Sequence, residues 1–525
     1  MQNKFVRIFA LLTLLLVIAG VAWYVGSLSK SPSPQPEPPN GEALEISLLI
    51  SAPDNVELPA PENDFVLQAI QNKFNIALKI EYIATSQDYN SRLADLLNNN
   101  NPPDMWLELS QDGGSKSALN ETIADMTPYV SPATMPNYFK FWVTEQVLKD
   151  YQLHNRFYRA PLPYDKNSYR SYYIRADWLE QLHMDIPSSY EEYLEVLRAF
   201  TNKDPDRDGL ANTYGFTTSG NSATLSTEWP EFIKNGLLYP AYTFNDKLID
   251  FGTDPRIEFV IDDISRVIKE GVVDPDWFLN QNNEHIDKAI QGYAGVVLGE
   301  TVDFAYDSNP RSLQAQSRKI NPQANWLPFN PFGNEPVRAG IDPGYPFVFS
   351  KMIADHEPAK IRKVVELLDW LAGPEGYLLT HYGVEGRHYT RSGNTITLIT
   401  PAGAEDQIDM DFLDIWSFFT PEAPSVLGFH VINPALTERD KGIKEYLASL
   451  PLKDKLGTTL TPPQEIDVDA FRSKQHELHI KMLFSDRSGR NWPSYREMLM
   501  TQYHGAEIFE NYEKKIKLSR KSSSQ

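Results

Sequence analysis

Apolar and polar residues alternate at Leu44, Ile46, Leu48 and Ile50, the period of a strand with a buried face. Asn63 or Asp64 can cap a helix that runs to about Phe74. Alternation resumes at Ile76, Leu78, Ile80 and Tyr82, and a helix carrying Tyr89, Leu93, Leu96 and Leu97 follows. A polar break at 98–103 precedes a short strand at 105–109. Ser188 and Glu191 have capping-box spacing, and Tyr190, Tyr193, Leu194, Leu197 and Phe200 share one helical face. A short buried strand is predicted within 292–299. A further helix starts near Pro358, carries Ile361, Val364, Val365, Leu368 and Leu371 on one side, and ends at Gly373-Pro374. Trp178 and Trp370 fall in amphipathic helices and read as core. Strands alternating with helices predict an α/β fold with a parallel sheet. No repeat of solenoid period is present, and the basic, Ser-rich stretch 514–525 is expected to fray.

The N-terminus sets the compartment. Lys4 and Arg7 precede an uncharged, apolar run over 8–29, long enough to cross a bilayer as a helix, with Trp23 and Tyr24 near its outer end. Residues 1–29 therefore read as a signal peptide or as a retained membrane anchor, and Ser27-Leu28-Ser29 offers a cleavage site. A Pro-rich spacer occupies 30–43. The expected location is the extracellular face of the membrane, anchored by 8–29, or secreted. With no cysteine in the sequence, a lipoprotein anchor, disulfides and thiolate chemistry are excluded. The formal charge of −21 argues against nucleic acid as a partner. The 525 residues exceed one core and suit two or three domain-sized units. Aromatic residues make up 12%, enough flat surface either to line a carbohydrate site or to fill cores.

The most specific local pattern runs from Asp204 to Thr213. Oxygen-bearing side chains stand at Asp204, Asp206, Asp208 and Asn212, positions 1, 3, 5 and 9 of a loop. Gly209 sits at the sharp turn, and Leu210 can offer its backbone carbonyl. Calcium takes about six to eight oxygens in a flexible cage, and this spacing wraps one. Position 12 is Gly215, where an EF-hand has a bidentate Glu, so a structural calcium site is expected rather than a true EF-hand. His476 and His479 lack the flanks of a zinc protease and read as surface histidines.

Several stretches, in order, resemble the bacterial extracellular solute-binding proteins of the carbohydrate-uptake class, in particular the large alginate-oligosaccharide-binding type. They are 88–93 leading to Pro103-Asp104-Met105-Trp106, then 173–179 with Ile186-Pro187-Ser188-Ser189, the calcium-like loop, Gly292-Tyr293-Ala294-Gly295, Leu368-Asp369-Trp370-Leu371 and 382–386. The resemblance implies two α/β lobes of the class II periplasmic-binding type, joined by hinge strands and closing on a ligand. It implies delivery to an ABC-type permease. It adds Thr213 to the calcium ligands, where such loops commonly carry Glu. The expected lobes are 44–165 with about 295–345, and 166–294 with about 346–513. A monomer is expected.

A sugar site needs aromatic faces for ring C–H groups, polar groups for hydroxyls, and contributions from both lobes. The candidates are Trp106, Tyr164 and Asp165 at a crossing, Trp229 after a Ser/Thr-rich loop, Asp303, Phe304 and Tyr306 after the Gly299 turn, and Asp342 with Tyr345 around Pro343-Gly344. Arg175, Arg338 or Arg387 could supply a cationic cleft for an acidic sugar. Two other functions share these features. A membrane-anchored sensory protein would use the same fold. A glycan-active enzyme would need a carboxylate pair, which cannot be isolated among 70 acidic residues, and no Gly-x-Ser-x-Gly motif is present. A binding protein, not an enzyme, is the expectation.

Overall fold

The computed structural model describes residues 43–52, 56–84, 88–110, 112–162, 169–245, 247–400 and 412–523. The expected anchor (1–29) and nearly all of the spacer lie outside them, as do Tyr164 and Asp165. Among the described residues, no helix is long and apolar enough to cross a membrane.

The chain opens with β1 (Leu44–Ala52), α1 (Phe65–Phe74), β2 (Ile76–Ala84), α2 (Tyr89–Asn98) and β3 (Met105–Leu107). Asp64 caps α1 by accepting from the Val66 and Leu67 amides. The chain then builds a second unit with β4 (Ser171–Arg175), α3 (Tyr190–Asn202), β5 (Tyr214–Phe216), α4 (Ile257–Glu270), β6 (Ala294–Gly299) and β7 (Trp326–Phe329). It returns to the first unit with β8 (Phe347–Phe349) and α5 (Pro358–Leu371). Finally α6 (Val468–Lys481), α7 (Trp492–Gln502) and α8 (Gly505–Ser523) rejoin the second.

The first sheet runs β8-β3-β1-β2, with β1 parallel to β2 and β3, and β8 antiparallel. In β1, Ile46, Leu48, Leu49 and Ile50 are all buried, so the central strand is covered on both faces. Each such side chain contributes roughly 1.5–3 kcal/mol by burial. The second sheet runs β5-β6-β4-β7, and here the parallel expectation fails. β4 is antiparallel to both β6 and β7, and only β5 and β6 are parallel.

This pairing corrects the expected lobe boundaries. β6 and β7 hydrogen-bond to β4, so residues 294–329 belong to the second lobe. β8 pairs with β3, and the segment from 347 to 429 shares a core with β1 and α1. The second core takes residues 172–329 and then 466–512. A two-stranded link of Arg338–Ala339 with Leu452–Lys453 lies where the chain leaves the second lobe.

Three local expectations shift. The capping box of α3 sits one residue later: Ser189 accepts from the Glu192 amide, and the Glu192 carboxylate accepts from the Ser188 amide. Over 514–523 the chain is helical instead of frayed, because α8 continues to Ser523, Ile516 is buried, and Ser519 Oγ donates to the Gly457 carbonyl at 2.8 Å. His479 is not a surface group. It is buried on α6 with its ring 5.2 Å from that of Trp492, and His476 is half-buried.

Burial, with the neighbouring His476, pushes His479 down to about 3. A depressed folded pKa gives stability that is complete above the unfolded value of about 6.5 and is lost as pH falls below it, by up to about 1.4 kcal/mol per pH unit. Glu231, pushed up to about 7 by burial, acts with opposite sign over part of this window. The difference between the wild type and His479→Gln therefore isolates the histidine. Urea titrations at pH 7 and pH 5 are expected to show a stability gap that changes with pH in that sense. A gap independent of pH would refute the assignment.

Candidate functional site

The candidate cleft opens where the chain crosses between lobes. The first lobe contributes Ser110, Gly113, Tyr151 and Arg159, and the second contributes Tyr169, Arg170, Tyr239 and Glu300. Residues 341–345, Leu456 and residues 458–460 complete its lining, and the cavity volume is about 700 Å³. Asp342 ties these segments together. Its carboxylate accepts from the Tyr151 hydroxyl at 2.5 Å and from the Leu456 and Gly457 amides at 3.0 and 2.9 Å.

Two tyrosines of the lining are exposed, Tyr345 at 56% and Tyr239 at 41%. Arg170 lies over the Tyr239 ring, 5.2 Å from its centre, pairs with Glu300, and donates to the Thr227 carbonyl. Cation, carboxylate and aromatic face are thus held together on one wall. Arg159 on the other wall is 7% exposed. It donates to the Tyr151 carbonyl at 3.2 Å and to the Thr459 hydroxyl. Burial brings its guanidinium down to about 10. Gly113 beside it takes a φ of +63°, in the left-handed region that favours glycine.

Of the nine candidate ligand residues, Asp342 and Tyr345 line this cleft. Trp106 and Trp229 do not. Trp106 is 1% exposed within β3, and Trp229 is 0% exposed, edge-on to Trp277 at 5.0 Å. Both indoles are consumed by core packing, which leaves no face for a ligand. Asp303, Phe304 and Tyr306 also serve the second lobe. Asp303 accepts from Asn309, Phe304 packs on Tyr173 with ring centres 4.9 Å apart, and Tyr306 is buried. Arg175 is buried against Trp178 and paired with Asp177, so it offers no cationic cleft.

Arg159, Arg170, Tyr239 and Glu300 escaped the sequence reading. For two of them a signal existed. Ser171 pairs with Gly299 in antiparallel register, so Arg170 and Glu300 are neighbours across the ends of β4 and β6. An all-parallel sheet would have set those ends apart.

The acidic loop follows α3 and leads into β5, and none of its residues lines the cleft. Carboxylate oxygens of Asp204, Asp206 and Asp208 lie within 4.8 Å of one another. Asp204 accepts from the Asp208 and Gly209 amides, and Asp208 accepts from the Leu210 amide and from Asn212. Asp206 Oδ1 and Asn212 Oδ1 are buried without a hydrogen-bond partner. Burial, and then Asp204 and Asp208, push the Asp206 carboxyl up. Two buried acceptors without a donor, gathered beside two further carboxylates, suit a hard cation. Thr213 fits less well than expected, because its buried hydroxyl donates to the Phe200 carbonyl at 2.8 Å. Position 12 cannot hold a carboxylate, since a Cβ on Gly215 would come within 2.6 Å of Leu197.

Residues 66–293 match the family model of the bacterial extracellular solute-binding protein. The likeness covers less than half of the chain. The polygalacturonan/rhamnogalacturonan-binding protein YtcQ of Bacillus subtilis is 24% identical over 63% of the chain, a match spanning 64% of YtcQ. The fructooligosaccharide ABC transporter substrate-binding protein FusA of Streptococcus pneumoniae is 28% identical over 29% of the chain and 27% of its own length. In structure, FusA in complex with kestose superposes with a TM-score of 0.68 at 14% identity, covering 91% of this chain and all (100%) of that one. The alginate-binding protein AlgQ2 without calcium ion gives 0.67 at 13% identity, covering 91% and 99%. The two-lobed solute-binding fold is therefore that of this chain.

Proposed function

We propose that this chain is a carbohydrate receptor, held outside the cytoplasm, which closes two lobes on an oligosaccharide and presents it to an ABC-type permease. The observation that carries this reading is the cleft at the lobe crossing. It joins tyrosine faces to paired and unpaired charged groups drawn from both lobes. A ligand that touches both walls favours the closed state by its differential contacts. The proposed role is binding without turnover; of the two carboxylates that line the cleft, Glu300 pairs with Arg170 and Asp342 is held by three donors. The naming of YtcQ and FusA as glycan-binding proteins supports the same direction.

Calorimetry against a panel of neutral and acidic oligosaccharides tests the reading. At least one is expected to bind, and Tyr345→Ala is expected to weaken it about tenfold, the scale of one lost aromatic contact. Unchanged affinity in that variant would remove the cleft from the site.

The loop is proposed to hold calcium through the carboxylates of Asp204, Asp206 and Asp208, Asn212 Oδ1 and the Leu210 carbonyl. When bound, the ion neutralises clustered carboxylates and fixes the connection from α3 to β5. Calcium at a hundredfold over its dissociation constant would add about 2.7 kcal/mol of stability. Thermal unfolding is expected to shift up with calcium and down with chelator, and Asp206→Asn to lose the response. A melting temperature indifferent to calcium would refute the site.

A further inference from the structure

The cations at the crossing are unequally matched. Arg170 has Glu300. Arg159 has only neutral partners: the Tyr151 carbonyl and the Thr459 hydroxyl on Nη1, and nothing on Nε. Among the described residues no carboxylate lies within ion-pair distance of it. The field of Glu108 reaches it, but the Glu108 oxygens already accept from the Ser110 amide and the Ser117 hydroxyl. Asp342, in the same cleft, is saturated by its three donors. Lys515 lies behind, held down to about 8 by burial and by Arg159 itself. With no carboxylate in direct contact, the buried guanidinium is only partly compensated by these charges, and an anion arriving in the cleft against it would offset the remaining cost.

We infer that Arg159 is a carboxylate subsite, so that the cleft selects oligosaccharides containing uronic acids over neutral ones. The inference rests on the receptor reading above. An arginine fork matches a carboxylate. The exposed rings of Tyr239 and Tyr345 would take the sugar ring while its carboxylate turns to the Arg159 wall. The charge of −21 does not oppose this, because fields from remote surface groups are screened beyond about 8–10 Å at ordinary ionic strength.

Calorimetry on the full chain decides. The probes are trigalacturonate, trimannuronate and triguluronate, each beside its carboxyl-reduced neutral counterpart. At least one acid is expected to bind about ten- to a hundredfold more tightly than its reduced form, the scale of a charge-assisted hydrogen bond. Arg159→Met, checked for folding by circular dichroism, is expected to abolish that preference, and Arg159→Lys to keep part of it. Equal or tighter binding of the reduced sugars, or binding confined to neutral oligosaccharides, overturns the inference and leaves the receptor reading standing. A preference that survives in a folded Arg159→Met overturns the inference as well. Binding of no sugar in either set, or in a wider neutral panel, overturns both. Should Arg159→Met fail to fold, the wild-type comparison of acid with reduced form decides alone.

Discussion

Trp229→Ala is expected to destabilise the second lobe by about 3–5 kcal/mol, the cost of emptying a large aromatic site in a packed core. The indole is fully buried between Phe216 and Trp277, and it adjoins the N-terminus of the Pro230–Lys234 helix. Its neighbours are themselves rings, which cannot collapse far into the void. Denaturant unfolding followed by far-UV circular dichroism would measure the loss. The folded fraction should keep its ligand affinity, because the indole has no face in the cleft. A variant with normal stability and lost binding would restore Trp229 as a ligand platform.

Arg472→Met is expected to cost a comparable amount, about 3–5 kcal/mol at most, because it strands a buried carboxylate. Arg472 on α6 grips Asp250 with two parallel hydrogen bonds of 3.0 and 2.5 Å. Asp250 is buried, while the Arg472 side chain keeps 20% exposure, which moderates the figure. Burial pushes the Asp250 carboxyl up, but the Arg472 charge and hydrogen bonds outweigh it and leave it below its usual range. A lowered folded pKa means that the stabilisation is full above about 3.9 and fades as pH falls from there through the lower folded value. The wild type should therefore lose this contribution only in strong acid. The double variant Arg472→Met with Asp250→Leu should recover much of the loss. Equal stability of wild type and single variant in urea would show the pair to be idle.

The sequence made the first lobe readable and the second only partly so. In β1 and β2 the alternation is strict, and the helices α1, α2 and α5 show clear faces, so those elements appear within a residue or two of their expected ends. The second sheet turned on pairing direction, which local patterns do not encode. The error propagated: β6 and β8 were placed in each other's lobes, and Arg170 and Glu300 went unseen at adjoining strand ends. Tryptophan misled for a different reason. An isolated Trp after a polar loop reads the same whether its indole meets a ligand or a core, and Trp229 meets Trp277. Asp342 and Tyr345, which line the cleft, stood out because Pro343-Gly344 between them breaks the pattern visibly. His479 was misjudged since a histidine on an amphipathic helix carries no mark of its depth, which Trp492 sets from across the core.

The lobes are interleaved along the chain, and this has a consequence for biogenesis. The first core draws on residues from Ile46 to Phe429, and the second on residues from Tyr172 to Tyr512, with Ile516 buried beyond. A chain emerging N-terminus first can form β1, β2 and β3 early, but their sheet lacks its β8 edge until residue 349 is out. Neither lobe can close as a vectorial domain, and long-range pairings of this kind slow folding. If the chain is exported unfolded, as the proposed receptor role requires, the same interleaving would delay folding until assembly on the far side of the membrane.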